Sequence, residues 1–216
     1  MIISDTMKLD TLNPYVMKMV IAARPEDSIS AISRRIGLSY GWTYKWALEL
    51  EKAGVFKRSG KKLILNEKAP FYRQVLGFLK AALGNDVDFH YRILPLFGIK
   101  YCFTATDAVF FWTDGGYNIA RNMDYYPIFI KVKISDKKMF DFYANKFMPK
   151  SRVFYKPDFL NDFTFVIHEG VPVDSLDETI LFMKKYVYNF EPALEMVQDM
   201  YGRKLGVKYR EEVLNV

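Results

Sequence analysis

Two short helical patterns, separated by a glycine, occupy residues 28–52 and constrain the fold more than any other part of the chain. In the first pattern, isoleucines recur at the spacing of one helix face: Ile29, Ile32 and Ile36. Gly37 follows them and can adopt the left-handed conformation that ends a helix. Ser39 is a typical N-cap and predicts a second helix from about Tyr40 to Lys52. The pattern therefore predicts a helix-turn-helix.

The second helix has two faces of different character. Its inward face is predicted to hold Thr43, Trp46, Ala47 and Leu50. The opposite face carries Lys45, flanked by Trp42 and Tyr44. In helix-turn-helix proteins the early residues of this helix reach base edges in the major groove. Trp42, Tyr44 and Lys45 are therefore the candidates for contact with bases or with the sugar-phosphate backbone.

A hairpin is predicted directly after the second helix. Val55 to Arg58 and Lys61 to Leu65 read as two strands, joined by a Ser59-Gly60 turn. Before the motif, Leu12 to Ala23 predicts a further helix that supplies core. Helices followed by a basic hairpin are the pattern of a winged helix-turn-helix, in which the hairpin is the wing.

The positive charge of the chain is concentrated in this module. Residues 28–68 contain nine Lys or Arg and three Glu, a net charge of +6, which equals that of the whole chain. Such placement indicates a surface for a polyanion such as nucleic acid, and with the winged-helix pattern the expected partner is double-stranded DNA. The predicted DNA-binding residues combine the phosphate-neutralising cations with the three helix residues: Arg34, Arg35, Trp42, Tyr44, Lys45, Lys57, Arg58, Lys61 and Lys62.

Composition sets further bounds on the chain. Its 216 residues suffice for one large or two small domains, and half of them are hydrophobic. No apolar run approaches the length of a membrane span, and the N-terminus lacks the pattern of a signal peptide. The single cysteine, Cys102, fits a reducing compartment. We therefore expect a cytoplasmic protein without a membrane partner.

The fold class predicted is α+β, with the winged helix-turn-helix followed by a small α/β domain. We expect the DNA-binding domain at 1–70, a connecting helix and linker at 71–100, and the α/β domain at 101–216. The α/β domain is predicted to begin with a helix from Ala105 to Trp112, capped by Thr104. The elements predicted after it are a strand (Pro127–Lys133), a helix (Ser135–Met148), strands at Arg152–Tyr155 and Phe163–His168, a helix from Ser175 to about Tyr188, and a last helix from Glu191-Pro192 to about Leu205.

The aromatic-rich segment from Tyr101 to Tyr126 allows two interpretations. Aromatic side chains at this density normally fill a core. An exposed aromatic patch would instead mark a surface for a partner or ligand.

Catalytic constellations are not evident in the second half. There is no phosphate-binding glycine loop of the Walker type, and only two histidines, His90 and His168, are present. A metal-dependent nuclease needs clustered carboxylates beside a strand lysine. The residues that offer this are Asp107, Asp124, Lys131 and Lys133, at unconvincing spacing. We therefore expect no enzymatic activity, no metal and no cofactor.

The layout of the chain resembles the AbiEi-type antitoxins and related archaeal winged-helix regulators. The residues that carry this resemblance are the winged-helix pattern and Phe103-Thr104-Ala105-Thr106-Asp107-Ala108-Val109, which is similar to the small-residue turn before a helix in that family. The resemblance implies a transcriptional autorepressor whose second domain opposes a nucleotidyltransferase-type toxin. It places operator binding around Trp42 to Lys45 and on the wing from Lys57 to Lys62.

The sequence is thus compatible with three functions. The first is a DNA-binding regulator, expected as a homodimer because one helix in one groove reads only a few base pairs. The second is a protein-interaction module that neutralises a cognate toxin and has only non-specific DNA affinity. The third is an enzyme that processes nucleic acid.

Overall fold

The computed structural model describes residues 14–84, 86–119, 121, 124–148 and 152–207, and its architecture is α+β. These residues divide into two compact units. The first contains the described residues of 14–98 together with 142–148. The second contains those of 99–141 together with 152–207.

Helices and three short strands make up the first unit. In chain order they are α1 (Pro14–Ala22), β1 (Glu26–Ser28), α2 (Ile29–Ile36), α3 (Tyr40–Lys52), β2 (Phe56–Ser59), β3 (Lys62–Leu65), α4 (Pro70–Leu83) and α5 (Val87–Ile93), followed by a 3-10 turn at Leu94–Phe97. The helix predicted from Leu12 to Ala23 is confirmed as α1, although Leu12 and Asn13 lie outside the described residues.

Side-chain and backbone caps set the bounds of α2 and α3, as predicted. The Ser28 hydroxyl accepts a hydrogen bond from the Ala31 amide at 3.1 Å and begins α2. Gly37 ends α2 with φ of 67°, and its amide donates to the Ser33 carbonyl. The Ser39 hydroxyl accepts from the Trp42 amide at 3.4 Å and begins α3.

The three strands form an antiparallel sheet in the order β1-β3-β2. The predicted hairpin is confirmed, but its turn is one residue later than expected. Ser59 pairs with Lys62, so Gly60 and Lys61 form the two-residue loop, and Gly60 supplies the positive φ of 58°. Strand β1, which pairs with β3 from Glu26↔Ile64 to Ser28↔Lys62, was not predicted.

The second unit is built on a five-stranded mixed sheet. Its elements are β4 (Tyr101–Phe103), α6 (Ala105–Trp112), β5 (Tyr126–Lys133), α7 (Lys137–Phe147, of which residues 137–141 belong here), β6 (Val153–Leu160), β7 (Val166–His168), β8 (Val171–Val173), α8 (Leu176–Lys185) and α9 (Val187–Tyr201). The strand order is β6-β5-β4-β8-β7. The β4–β8 and β5–β6 pairs are parallel, and the β4–β5 and β7–β8 pairs are antiparallel.

Several elements of the second unit confirm the predictions. In β5, Ile128, Ile130 and Val132 are buried and alternate with half-buried neighbours, as a strand with one covered face requires. Helix α6 spans the predicted residues, but the prediction that Thr104 caps it was wrong, because the Thr104 hydroxyl donates to the Asp174 carboxylate instead of accepting from the helix backbone. The capping box at the start of α8 is also present, with reciprocal hydrogen bonds between Ser175 and Glu178.

The prediction for the last helix was wrong at its start. Helix α9 begins at Val187, so Pro192 lies inside the helix rather than in its first turn. The helix ends at Tyr201, where Gly202 adopts φ of 63° and its amide donates to the Gln198 carbonyl. Proline costs a helix one backbone hydrogen bond, and buried neighbours such as Phe190, Ala193 and Leu194 offset that loss by packing.

The described part of the aromatic segment 101–126 belongs mainly to the core. Tyr101, Phe103, Trp112 and Tyr126 are buried, whereas Tyr125 is exposed. Ala120, Asn122 and Met123 lie outside the described residues. Phe110, Phe111 and Tyr117 are half-buried, so core packing accounts for half of these rings in full and for three more in part.

None of the helices in the described part of the chain combines the length and apolar character needed to cross a membrane.

Candidate nucleic-acid interface

Four aromatic rings stand in solvent at the start of α3 and on the neighbouring α1. They are Tyr15, Tyr40, Trp42 and Tyr44, which are 38%, 54%, 50% and 38% exposed, and we refer to them as the aromatic cluster. The Tyr15 and Trp42 ring centroids are 5.7 Å apart, and those of Tyr40 and Tyr44 are 6.1 Å apart. Large apolar rings kept in water at one place mark a contact surface rather than a core.

The opposite face of α3 anchors the helix in the first unit. Thr43, Ala47 and Leu50 are fully buried, and Trp46 is 8% exposed. The Thr43 hydroxyl donates to the Ser39 carbonyl at 2.9 Å, which satisfies its buried oxygen. The burial predicted from the helical spacing is confirmed, and it fixes which side chains of α3 face outward.

Lys45 joins the aromatic cluster to a positive charge. Its ammonium lies 5.1 Å from the Trp42 ring centroid and 5.3 Å from that of Trp46. Both distances are within the range of a cation–π interaction. The ammonium is held on the exposed face of α3 and has no ion-pair partner among the described residues.

The hairpin β2–β3 carries four further predicted cations, Lys57, Arg58, Lys61 and Lys62, and all four are exposed. Arg58 forms an ion pair with Glu51 at 3.2 Å and lies 5.5 Å from the Tyr44 ring centroid. Lys62 forms an ion pair with Glu26 of β1. Within the described residues, Lys57 and Lys61 have no carboxylate partner, so their charges are the ones most available to an anion.

The structure separates two neighbouring arginines that the sequence analysis treated alike. Arg34 is exposed. The side chain of Arg35 is only 6% exposed and forms an ion pair with the Asp27 carboxylate, whose side chain is 4% exposed. The stem of Arg35 also lies against Gly98, where a β-carbon would come within 2.6 Å of two of its carbons. We therefore remove Arg35 from the predicted DNA-binding residues.

Burial shapes the acid–base properties of the Asp27–Arg35 pair. It raises the pKa of the Asp27 carboxyl, and the Arg35 charge beside it acts in the opposite direction. The Ser28 amide also donates to Asp27 at 3.0 Å. This pair thus holds β1 to the C-terminal turn of α2.

A buried lysine stabilises the C-terminal end of α1 in the same unit. The Lys146 ammonium donates to the carbonyls of Val20, Ile21 and Ala23 at 2.9, 3.4 and 3.1 Å. These carbonyls belong to the end of the helix, where a positive charge is favoured. Burial lowers the pKa of Lys146 to about 7. Sequence analysis did not identify this residue.

The polar residues considered for catalysis are engaged in separate contacts in the second unit. Arg121 donates to the buried carboxylate of Asp107 at 2.8 Å, and so does the Phe129 amide at 2.6 Å. The Lys131 ammonium instead donates to Asp174 at 2.7 Å. Asp124 lies 3.5 Å from Arg152 at the surface.

Asp174, which sequence analysis missed, accepts hydrogen bonds from several residues around the second sheet. Besides Lys131, Thr104 and Cys102 donate to its carboxylate, and Trp112 Nε1 donates to its carbonyl at 2.9 Å. Burial and the Asp174 charge raise the pKa of the Cys102 thiol, which keeps the thiol protonated. Each of these donors is hydrogen-bonded to an oxygen of Asp174, which is the arrangement of a hydrogen-bond network that stabilises the fold.

The two histidines differ in environment. His90 is fully buried, its Nε2 lies 2.7 Å from the Leu83 carbonyl, and burial lowers its pKa. His168 stacks on Trp112 with ring centroids 4.2 Å apart and is 18% exposed at its side chain.

No protein-family model, no curated protein and no solved structure matches this chain.

Proposed function

We propose that the first unit is a winged helix-turn-helix that binds double-stranded DNA. In this proposal α3 is the recognition helix and the hairpin β2–β3 is the wing. The order of α1, β1, α2, α3, β2 and β3, with β1 added to the hairpin in the order β1-β3-β2, supports the assignment.

The observation that carries the proposal is the pairing of Trp42 with Lys45 on the outward face of α3. Trp42 is half exposed, and the Lys45 ammonium lies above its ring. A lysine at this position can donate to guanine, and an aromatic ring can contact a thymine methyl. Trp42, Tyr44 and Lys45 are therefore proposed to face the major groove.

The remaining cations supply contacts that are independent of sequence. Lys57 and Lys61 are the first choice because they lack carboxylate partners among the described residues. Arg34 adds a third exposed charge. Arg58 and Lys62 can also reach phosphates, but each must first exchange its intramolecular carboxylate for the phosphate, which reduces the gain.

At the level of biology we propose a cytoplasmic transcriptional repressor of the antitoxin type, acting as a homodimer on its own upstream region. The resemblance to the AbiEi-type family supports this part. Asp107 and Lys131 contact different partners, Arg121 and Asp174, so the carboxylate–lysine pairing considered for a nuclease does not form between these two residues. The second unit would then serve dimerisation or hold a cognate toxin.

A protein-interaction module is the second candidate, and the aromatic cluster is what favours it. Exposed Tyr and Trp rings are the residues most enriched at the centre of protein interfaces. Under this alternative the cluster would bind a partner protein, and DNA affinity would be weak and independent of sequence.

Binding of labelled duplexes separates the two candidates. The protein is titrated against its own upstream duplex and against a shuffled duplex of the same composition, with Trp42→Ala and Lys184→Ala variants beside it. Lys184 is an exposed lysine of α8 and serves as the charge-matched control for changes on α3 and the hairpin. DNA recognition predicts discrimination between the duplexes that Trp42→Ala reduces and Lys184→Ala leaves unchanged. Equal, weak binding of both duplexes would favour the protein-interaction module.

A further inference from the structure

Two tight turns in the second unit bring three side chains of metal-ligand type together. Asp114 follows α6 and has φ of 48°. Glu169 and Gly170 form the two-residue loop between β7 and β8, with φ of 49° and 81°, as the turn of such a hairpin requires. His168 is the last residue of β7. One oxygen or nitrogen atom from each of Asp114, His168 and Glu169 lies within 4.8 Å of the others.

The imidazole of His168 is held in place but lacks a polar partner at one nitrogen. Trp112 stacks on its ring, and the Tyr201 ring lies at 6.4 Å, edge-on. His168 Nε2 is inaccessible to solvent and has no hydrogen-bond partner among the described residues. The Asp114 carboxylate oxygen, 3.9 Å from Nε2, is beyond hydrogen-bond distance. A buried ring nitrogen without a partner costs free energy unless something binds to it.

The two carboxylates are free to close on that nitrogen. Asp114 is 55% exposed at its side chain, and Glu169 is exposed. A tetrahedral zinc ion, with bonds of about 2 Å, holds its ligand atoms about 3.3 Å apart. Rotation of the exposed Asp114 and Glu169 side chains can bring the three ligand atoms, which lie within 4.8 Å of one another, to this shorter spacing.

We propose that Asp114, His168 and Glu169 form a binding site for a divalent transition-metal ion. A neutral imidazole and two carboxylates give a ligand set with a charge of −2, which the ion balances. Imidazole nitrogen favours Zn²⁺ or Co²⁺ over Mg²⁺ and Ca²⁺, which take oxygen ligands. Three protein ligands leave at least one coordination position to water. The sequence predicted no metal here because Asp114 lies far from His168 along the chain, and only the β7–β8 loop and the end of α6 bring them together.

Metal alone is the probe for this site, and the full chain without an affinity tag is the material. Titration with Zn²⁺ in a calorimeter should show one ion bound per chain, and a Co²⁺ titration should give visible absorption bands. His168→Gln and Asp114→Asn should each weaken Zn²⁺ binding by about tenfold or more, since loss of even an indirect metal contact has an effect of that size. Mg²⁺ at the same concentrations should bind more weakly than Zn²⁺.

Asp158→Asn is the matched control, because Asp158 is an exposed aspartate of β6, at the opposite end of the sheet from β7. This variant should bind Zn²⁺ as the wild type does. Bound Zn²⁺ should also raise the thermal unfolding temperature of the wild type and the control, and raise it less in the His168 and Asp114 variants. Near-ultraviolet circular dichroism confirms that each variant is folded. The proposal is overturned if the wild type binds no Zn²⁺ at millimolar concentration, or if His168→Gln binds it as tightly as the wild type does.

Discussion

The guanidinium of Arg35 forms an ion pair with the carboxylate of Asp27 inside the first unit, whereas the adjacent Arg34 stands in solvent. Two consecutive residues of helix α2 thus carry a structural charge and an available one, because they lie on different sides of the helix. The difference predicts distinct effects for two substitutions that sequence alone would treat as equivalent.

Arg35→Ala should destabilise the protein, because it leaves the Asp27 carboxylate buried without its partner. Breaking a buried ion pair in this way costs about 3–5 kcal/mol. Arg34→Ala should change the free energy of unfolding by no more than about 0.5 kcal/mol and should weaken DNA binding instead. Urea unfolding of the two variants measures the difference. Equal stability of the two variants would contradict the structural role of Arg35.

Substitution of the two tryptophans of α3 should likewise have different effects, one on stability and the other on DNA binding. Trp46 is buried and Trp42 is half exposed. Trp46→Ala should cost about 3–5 kcal/mol of unfolding free energy, the range for loss of a large core side chain. Trp42→Ala should leave stability within about 1 kcal/mol and lower affinity for the cognate duplex by about tenfold or more. A Trp42→Ala protein that binds the duplex normally would remove α3 from the proposed interface.

Lys45 and the hairpin lysines should affect different properties of DNA binding. Lys45→Ala should narrow the affinity ratio between specific and random duplex by about fivefold or more, because the proposed contact is to a base. The double change of Lys57 and Lys61 to Ala should weaken both duplexes alike and reduce the salt slope by about two units, because those contacts are to phosphates. The slope of log affinity against log salt measures the second effect. An unchanged affinity ratio in Lys45→Ala would show that the recognition helix is misplaced in our proposal.

The lowered pKa of Lys146 should make the free energy of unfolding depend on pH in the neutral to mildly alkaline range. Its pKa is about 7 in the folded protein against 10.5 for an ordinary lysine, so the unfolded chain binds more protons between those values. Stability should therefore rise with pH above about 7, by up to about 1.4 kcal/mol per pH unit.

The informative window for that measurement is about pH 7 to 8.5. Below this window the titration of His90 also makes stability depend on pH, because burial lowers its pKa in the folded protein. Above the window the Cys102 thiol and the buried tyrosines begin to ionise in the unfolded chain. Urea unfolding of the wild type should show the rise, and Lys146→Met should abolish it. A wild type with flat stability across this window would mean that the three carbonyl acceptors hold the ammonium charged.

Local signals explain why α2 and α3 were predicted with correct bounds. Ser28, Gly37 and Ser39 act on the backbone within a few residues of themselves, so their effect is readable from the sequence. The inward faces of both helices follow from the spacing of their apolar residues in the same way.

Contacts between distant residues explain what was missed. Strand β1 is Glu26-Asp27-Ser28, a polar tripeptide that becomes a strand only because β3 pairs with it. The burial of Arg35 depends on Asp27, and the ion pairs of Arg58 and Lys62 depend on Glu51 and Glu26. Charge counting identified the part of the sequence that is rich in cations but could not tell which of these cations form ion pairs within the protein.

Binding to DNA across a salt series tests the central claim most directly. Purified protein is titrated with its own upstream duplex and with a shuffled duplex at several salt concentrations. We expect tighter binding of the upstream duplex at every concentration and a log–log slope of roughly −4 to −5, corresponding to about four to six phosphate contacts. Weak binding that is equal for both duplexes and disappears with moderate salt would contradict the account, and would leave the basic surface as a general site for polyanions.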